Sequence, residues 1–266
     1  LILADQLSES LPTLQDIDTQ HDTVLLCELN EEASYVKHHP KKIAFLFAAM
    51  RHFAQQLSNK GHRVRYVKLD DVGNTGSFTG ELKRALAELK PDKIVVTEPG
   101  EYRVLKMMQL WQSELGIPVE ILPDSRFLAS HAEFADWANK KKQLRMEYFY
   151  RVMRKKYGIL MDADGKHVGG EWNYDKQNRK PPKAGMKSPA RISHAKSDMT
   201  KQVLLLVRER FSHHFGTLEP FHFAVTREQA IIELDHFIAH LLPNFGDYQD
   251  AMVANEPFLY HSLIST

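Results

Sequence analysis

Short apolar runs alternate with longer stretches of helical period through the first half of the chain. Residues 1–4, 23–27, 63–69, 93–97 and 119–122 read as strands, and the segments between them read as helices. The clearest helix covers residues 41–60. There Ile43, Leu46, Phe47, Met50, Phe53, Ala54 and Leu57 recur at a spacing near 3.6, while Lys42, Arg51, His52, Gln55 and Gln56 fall mostly on the other side. Gly61 follows as a left-handed stop. A helix over 77–90 is expected to bury Phe78, Leu82, Leu86 and Leu89, and one over 101–115 to bury Val104, Leu105, Met108, Trp111 and Leu115. The alternation predicts an α/β fold over residues 1–125, with a parallel five-stranded, Rossmann-like sheet covered on both faces.

Past residue 125 the pattern changes. Residues 131–139 and 143–156 keep a helical period, but 159–198 has none and reads as a long ordered loop, so 126–198 is predicted to be a connector. Helical period then returns. Val203, Leu204, Val207 and Phe211 share one face behind Thr200 as the expected cap. Thr226 and Gln229 form a capping box before Ala230, Ile231, Leu234, Phe237, Ile238, Leu241 and Leu242, and Pro243 is expected to end that helix. Residues 199–266 thus read as the start of an all-helical domain that by itself leaves a large apolar face exposed. The chain begins without Met inside a strand-like run and finishes without a stop signal, which predicts a piece of a longer protein.

Charge sharpens this division. The net charge of the 266 residues is +1, yet residues 1–125 carry 14 basic against 18 acidic side chains, 126–196 carry 17 against 7, and 197–266 carry 4 against 9. Aromatics are interleaved with the basic band: Trp137, Tyr148, Phe149, Tyr150, Tyr157, Trp172 and Tyr174. Cations beside flat rings suit nucleic acid, with Arg179, Lys180 and Lys183 as the expected contacts; the alternative is a solvated, Lys-rich linker. One cysteine, Cys27, excludes an internal disulfide framework and fits a reducing, cytoplasmic compartment. No apolar run is long enough to cross a bilayer, so no membrane partner is expected.

In an open parallel sheet, ligands bind beyond the carboxyl ends of the strands. Asp5-Gln6-Leu7-Ser8 follows the first run, Glu28-Leu29-Asn30-Glu31-Glu32 with Tyr35 the second, and Glu98-Pro99-Gly100-Glu101 the fourth. Neither a dinucleotide glycine fingerprint nor a P-loop pattern is present, which leaves a phosphate cradle unsupported. Carboxylates beside Tyr35 suit a neutral, hydrogen-bonding ring; turn and cap chemistry is the competing reading. His38-His39 has no partner at metal-ligand spacing and reads as a solvated loop.

Several stretches taken together carry a family resemblance. They are Asp5-Gln6-Leu7-Ser8, Glu32-Ala33-Ser34-Tyr35, His38-His39 before Lys41-Lys42-Ile43-Ala44-Phe45-Leu46-Phe47, and Arg51-His52-Phe53-Ala54. Thr97-Glu98-Pro99-Gly100-Glu101-Tyr102-Arg103, Gly169-Gly170-Glu171-Trp172-Asn173-Tyr174-Asp175, Val225-Thr226-Arg227 and Phe245-Gly246-Asp247-Tyr248-Gln249-Asp250-Ala251-Met252 complete the set. In order and spacing the chain resembles the amino-terminal half of the deoxyribodipyrimidine photolyase-related proteins, the iron–sulfur bacterial cryptochromes and (6-4) photolyases. The resemblance implies an α/β antenna domain, a connector and a helical flavin domain. It implies a ribityllumazine antenna held by Asp5, Gln6, Cys27, Glu32, Tyr35, Lys42 and Leu46, and FAD contacts at Tyr248, Ser262 and Ser265. The last two belong to Ser262-Leu263-Ile264-Ser265, which resembles the phosphate-binding turn of photolyases. An iron–sulfur cluster is implied for a carboxyl-terminal part that this chain does not include, and Cys27 cannot supply its ligands. The function implied is light-dependent repair of damaged duplex DNA. A photosensory cryptochrome and an isolated α/β small-molecule-binding module are the alternatives.

Overall fold

This computed structural model describes residues 1–139 and 141–262. They form two compact units, one of Leu1–Arg126 with Ile192–Ala230, the other of Phe127–Arg191 with the described residues from Ile231 onward. The strands are β1 (Thr23–Cys27), β2 (Arg63–Val67), β3 (Ile94–Thr97) and β4 (Val119–Leu122). The α-helices are α1 (Pro12–Gln15), α2 (Asn30–Ser34), α3 (Pro40–Asn59), α4 (Phe78–Leu89), α5 (Tyr102–Leu115), α6 (His131–Ala138), α7 (Met146–Tyr157), α8 (Asp198–Arg210), α9 (Arg227–His236) and α10 (Leu242–Phe245).

The fold is α/β, but the expected five-stranded sheet is not what forms. Strand β1 pairs in parallel with β2, Val24 opposite Val64, and β3 pairs in parallel with β4, Ile94 opposite Val119. Residues 1–4, expected as a strand, touch both pairs without forming a ladder. The Leu1 nitrogen donates to Val95 O (3.1 Å) and Ile2 N to Leu25 O (3.0 Å), whereas Leu3 N turns back to Gln6 Oε1 (3.3 Å). A central strand alternates its bonds between two neighbours and repeats them along each, but this segment makes one bond to each before Leu3 N turns away to Gln6.

Both faces of β1 are covered, as its unbroken apolar sequence requires. Val24 and Leu26 join a core with Ile43, Phe47 and Phe53 of α3, while Leu25 and Cys27 join a second core with Leu82 of α4 and Met108 of α5. In that second core Trp111 is fully buried, its indole N–H donating to Thr79 Oγ1 at 3.0 Å. Helix α3 begins at Pro40, where the missing N–H costs nothing, and His39 caps it by accepting from Lys41 N (3.1 Å). The expected wet side of α3 needs one correction: Arg51 is buried.

Helix α8 packs in the first unit, with Val203, Leu204, Val207 and Phe211 completing the α3 core. Burial of each such side chain contributes about 1.5–3 kcal/mol. Its cap is Ser197, which accepts from Thr200 N (3.1 Å); Thr200, expected in that role, sits inside the helix. His52 of α3 reaches Ser197 Oγ at 3.0 Å and Thr200 Oγ1 at 3.4 Å, which ties the start of α8 to α3. Beyond the other end, His214 Nδ1 lies 2.7 Å from His38 O. Gly216, with φ +85°, runs so close to the His39 ring that a Cβ there would overlap it.

The second unit has a small aromatic core, with Phe149 of α7 at 5.1 Å from Phe134 and 5.0 Å from Trp137 of α6, ring centre to ring centre. Arg154 is buried and donates from Nε to Ile159 O (3.1 Å), closing the end of α7. Its guanidinium, with those of Arg151 and the ammonium of Lys155, surrounds Trp172 at 5.1–5.6 Å, and His167 stacks on the same indole at 4.6 Å. Part of the basic, aromatic character of the band is therefore spent inside the unit.

At α9 half of the expected capping box forms, Gln229 N donating to Thr226 Oγ1 (3.3 Å), while the Gln229 side chain accepts from Val225 N (2.8 Å), one residue before the cap. Pro243 does not end the helix as expected. The chain continues through a π-helical turn, Phe237–Leu241, and Pro243 lies in the first turn of α10, where its ring is tolerated. Ile231, Leu234 and Ile238 are exposed, in line with the expected apolar face. Among the described residues no helix is long and apolar enough to cross a membrane.

Candidate functional site

The carboxyl ends of β1 and β3 place several polar groups close together, and they sort into interior and open sets. Glu28, one residue past β1, is fully buried. Its carboxylate accepts from Arg51 Nε (2.6 Å) and Nη2 (2.9 Å), Tyr66 Oη (2.7 Å) and Leu69 N (2.9 Å). Every lone-pair direction is filled, which is what a buried carboxylate requires. Gln6 is equally internal: its amide donates to Thr97 O (3.2 Å) and Glu98 O (3.1 Å), and its carbonyl accepts from Leu3 N. Cys27 is buried, and burial pushes its thiol up to about 12. Gln6 and Cys27 thus support the loop ends from inside and offer no free side-chain group at the surface.

The open set is built around Arg103, in the first turn of α5. Its guanidinium binds Glu32 bidentately (2.9 and 2.6 Å), reaches Glu101 Oε2 at 3.1 Å, and lies 4.5 Å over the Tyr35 ring. Those bonds, the pair with Glu32 first, raise the Arg103 pKa further. Tyr35 donates from Oη to Glu101 Oε1 (3.3 Å); partial burial and then the Glu101 charge raise its phenol. His38 meets the Tyr35 ring edge-on at 5.0 Å and lies 3.5 Å from Lys42 Nζ. Burial, then Lys42, lower the His38 pKa and favour the neutral ring.

Of the seven expected antenna contacts, Glu32, Tyr35 and Lys42 belong to this cluster. Leu46 is half-buried one helical turn beyond Lys42, on the same side of α3. Asp5 is exposed, and a Cβ on Gly100 would lie 3.7 Å from its carboxylate, which places it beside the loop that carries Glu101. Arg103, Glu101 and His38 were not among the expected contacts. The sequence held a signal for two of them, since Glu101 and Arg103 flank Tyr102 immediately after a strand end. The arrangement offers a ring face, two carboxylates and an ammonium, a set suited to a planar ligand with hydrogen-bonding edges.

In the second unit, the expected nucleic-acid contacts are engaged internally in two of three cases. Lys180 Nζ pairs with Asp247 Oδ2 at 2.7 Å, and Arg179 lies 2.8 Å from Asp175 and 3.6 Å from Asp250. Lys183 is exposed. Tyr248, an expected flavin contact, is buried and stacked on Tyr260 with ring centres 5.7 Å apart. Ser262 is described; Ser265 lies outside the described residues. Among the described residues no group of His, Cys, Asp and Glu has the arrangement of a metal site.

Residues 1–223 match the family model described as deoxyribodipyrimidine photo-lyase-related protein. The chain is 51% identical over 265 residues to a protein named (6-4) photolyase from Agrobacterium fabrum, covering 100% of this chain and 52% of that relative. It is 23% identical over 146 residues to an uncharacterised protein of Acanthamoeba polyphaga mimivirus, covering 52% of this chain and 69% of that one. The chain thus spans about half the length of the (6-4) photolyase it matches. With a family match over residues 1–223 and half of all positions identical to such a relative, the chain belongs to the deoxyribodipyrimidine photo-lyase-related family.

Proposed function

We propose that the protein containing this chain is a light-dependent DNA-repair flavoprotein acting on pyrimidine photoproducts, (6-4) photoproducts in particular. The observation that carries this reading is the 51% identity, along the whole chain, to a protein named (6-4) photolyase. FAD is the proposed reaction cofactor, and a ribityllumazine the proposed antenna. When bound, they supply light absorption and light-driven electron transfer.

The open cluster fits an aromatic antenna. Arg103 Nε is buried without a hydrogen-bond partner, although its other nitrogens are engaged, so the cluster holds an unused donor. Tyr35 presents a half-exposed ring, Glu32 and Glu101 accept, Lys42 donates, and Leu46 adds apolar surface. Asp5 lies beside the loop that carries Glu101. For the flavin, Tyr248 supplies a buried ring, and the described residues give no further fit. An iron–sulfur cluster does not fit this chain, because its one cysteine is buried in the β1 core.

Damaged duplex DNA is the proposed substrate. Arg179, Lys180 and Lys183 would hold phosphates, which positions a duplex without reading its sequence. Full-length protein carrying its flavin should restore a (6-4)-containing oligonucleotide under blue light and not in the dark. Bound, photoreduced flavin with no repair of that oligonucleotide would sink the proposal and favour a photosensory role.

A further inference from the structure

We propose that Asp247 is an affinity-limiting residue for nucleic acid, acting as a built-in competitor for Lys180. This inference rests on the reading of Arg179 and Lys180 as phosphate contacts. Asp247 holds Lys180 twice: its carbonyl accepts from Lys180 N at 3.0 Å, and its carboxylate binds Lys180 Nζ at 2.7 Å. Asn178 Nδ2 adds a bond to Gln249 Oε1 at 3.3 Å, so the loop lies zipped along the segment that follows α10. Arg179 pairs through its guanidinium with Asp175 and Asp250. The backbone bond fixes where Lys180 sits, and the carboxylate neutralises its charge.

Both partners of the Lys180 pair remain about half exposed, at 54% and 40%. Exposed pairs of this kind are weak and exchange readily, so a phosphate can displace the carboxylate. The phosphate must first break the Lys180–Asp247 pair, and that cost is subtracted from what it gains. Non-specific binding to any duplex is weakened by that competition, and the backbone bond keeps Lys180 in place when the exchange occurs. Asp247 therefore acts as a brake on sequence-independent binding.

The test is fluorescence anisotropy of full-length protein with an undamaged duplex, titrated across salt. Asp247→Asn keeps the backbone bond and removes the charge. It should tighten binding about two- to fivefold and steepen the log–log salt slope by up to about 0.9. Lys180→Ala should weaken binding, and Asp247→Asn should have no effect in the Lys180→Ala background. Asp247→Ser serves as a second variant, and thermal midpoints verify that both are folded. If Lys180→Ala weakens binding but loss of the Asp247 charge leaves it unchanged or weaker, the brake is refuted and the phosphate contact stands. Equal tightening in the Lys180→Ala background also refutes it, as a general charge effect. If Lys180→Ala changes nothing, the phosphate assignment fails, and the brake with it.

Discussion

The Glu28 carboxylate and the Arg51 guanidinium meet at 2.6 and 2.9 Å in a site closed to water, one residue past β1. Glu28 also takes bonds from Tyr66 and Leu69, so one buried group joins β1, α3 and the end of β2. Removing one partner of such a pair leaves an unmatched buried charge. Arg51→Met should therefore lower unfolding stability by about 3–5 kcal/mol. Urea denaturation monitors this directly; a loss under 1 kcal/mol, an exposed-pair value, would contradict the closed geometry.

Cys27 gives a pH prediction with a definite sign. Burial raises its thiol from the ordinary value of 9.0 to about 12, so the folded state holds the proton more tightly than the unfolded chain. The associated stability is fully present below pH 9 and is lost as pH rises toward 12, by at most about 1.4 kcal/mol per pH unit. Stability measured from pH 8 to 11 should fall less steeply in Cys27→Ala than in the parent. The native thiol should also resist iodoacetamide until the protein is unfolded.

Arg103 is the hub of the open cluster, and its role separates stability from binding. Its pairs with Glu32 and Glu101 are partly exposed, so Arg103→Ala should cost no more than about 1 kcal/mol. The same change frees two carboxylates and uncovers the Tyr35 ring, and full-length protein should lose most of its antenna absorption. Leu46→Trp should do likewise by crowding the same side of α3. Purified variants that keep full near-ultraviolet and violet absorption would show that the antenna lies elsewhere.

The tie between α3 and α8 should respond to acid. Burial lowers the His52 pKa, with Glu228 opposing that shift. His52 Nε2 lies 3.0 Å from Ser197 Oγ and 3.4 Å from Thr200 Oγ1, and its burial in the folded state disfavours protonation. The contribution is complete above the ordinary value of 6.5 and is lost as pH falls below it. A His52→Gln variant should show a shallower loss of stability between pH 7 and pH 5; an unchanged profile would place the titration elsewhere.

What could be read from the sequence was local. The period of α3 and the apolar runs of β1 to β4 are properties of neighbouring residues, and those elements appear where expected. Arg51 looked like a wet-face cation because its partner, Glu28, is 23 residues away. Lys180 looked like a free cation for the same reason, with Asp247 at 67 residues' distance. The segment 1–4 has strand-like composition, but after one bond each to β3 and β1 Leu3 N turns to Gln6 Oε1, and the apolar pattern of 1–4 does not encode that turn. At the candidate site, Glu32 and Tyr35 followed from strand-end logic together with the family resemblance. Arg103 carries a local signal after the end of β3, but nothing local ties its guanidinium to Glu32, 71 residues away. The packing of α8 on α3 was hidden because an amphipathic helix declares that it needs a partner without saying which one.

The tryptophans give the two units separate optical signatures. Trp111 is fully buried in the first unit and donates to Thr79, whereas Trp137 and Trp172 belong to the second. Cations surround Trp172, and Lys141 lies 5.2 Å over Trp137. Replacing Trp137 and Trp172 by Phe would leave Trp111 as the chain's one tryptophan, excitable apart from the tyrosines and seated in the α4–α5 core. Its emission would follow the melting of the α/β unit alone, so the cooperativity of the two units can be measured without an attached dye.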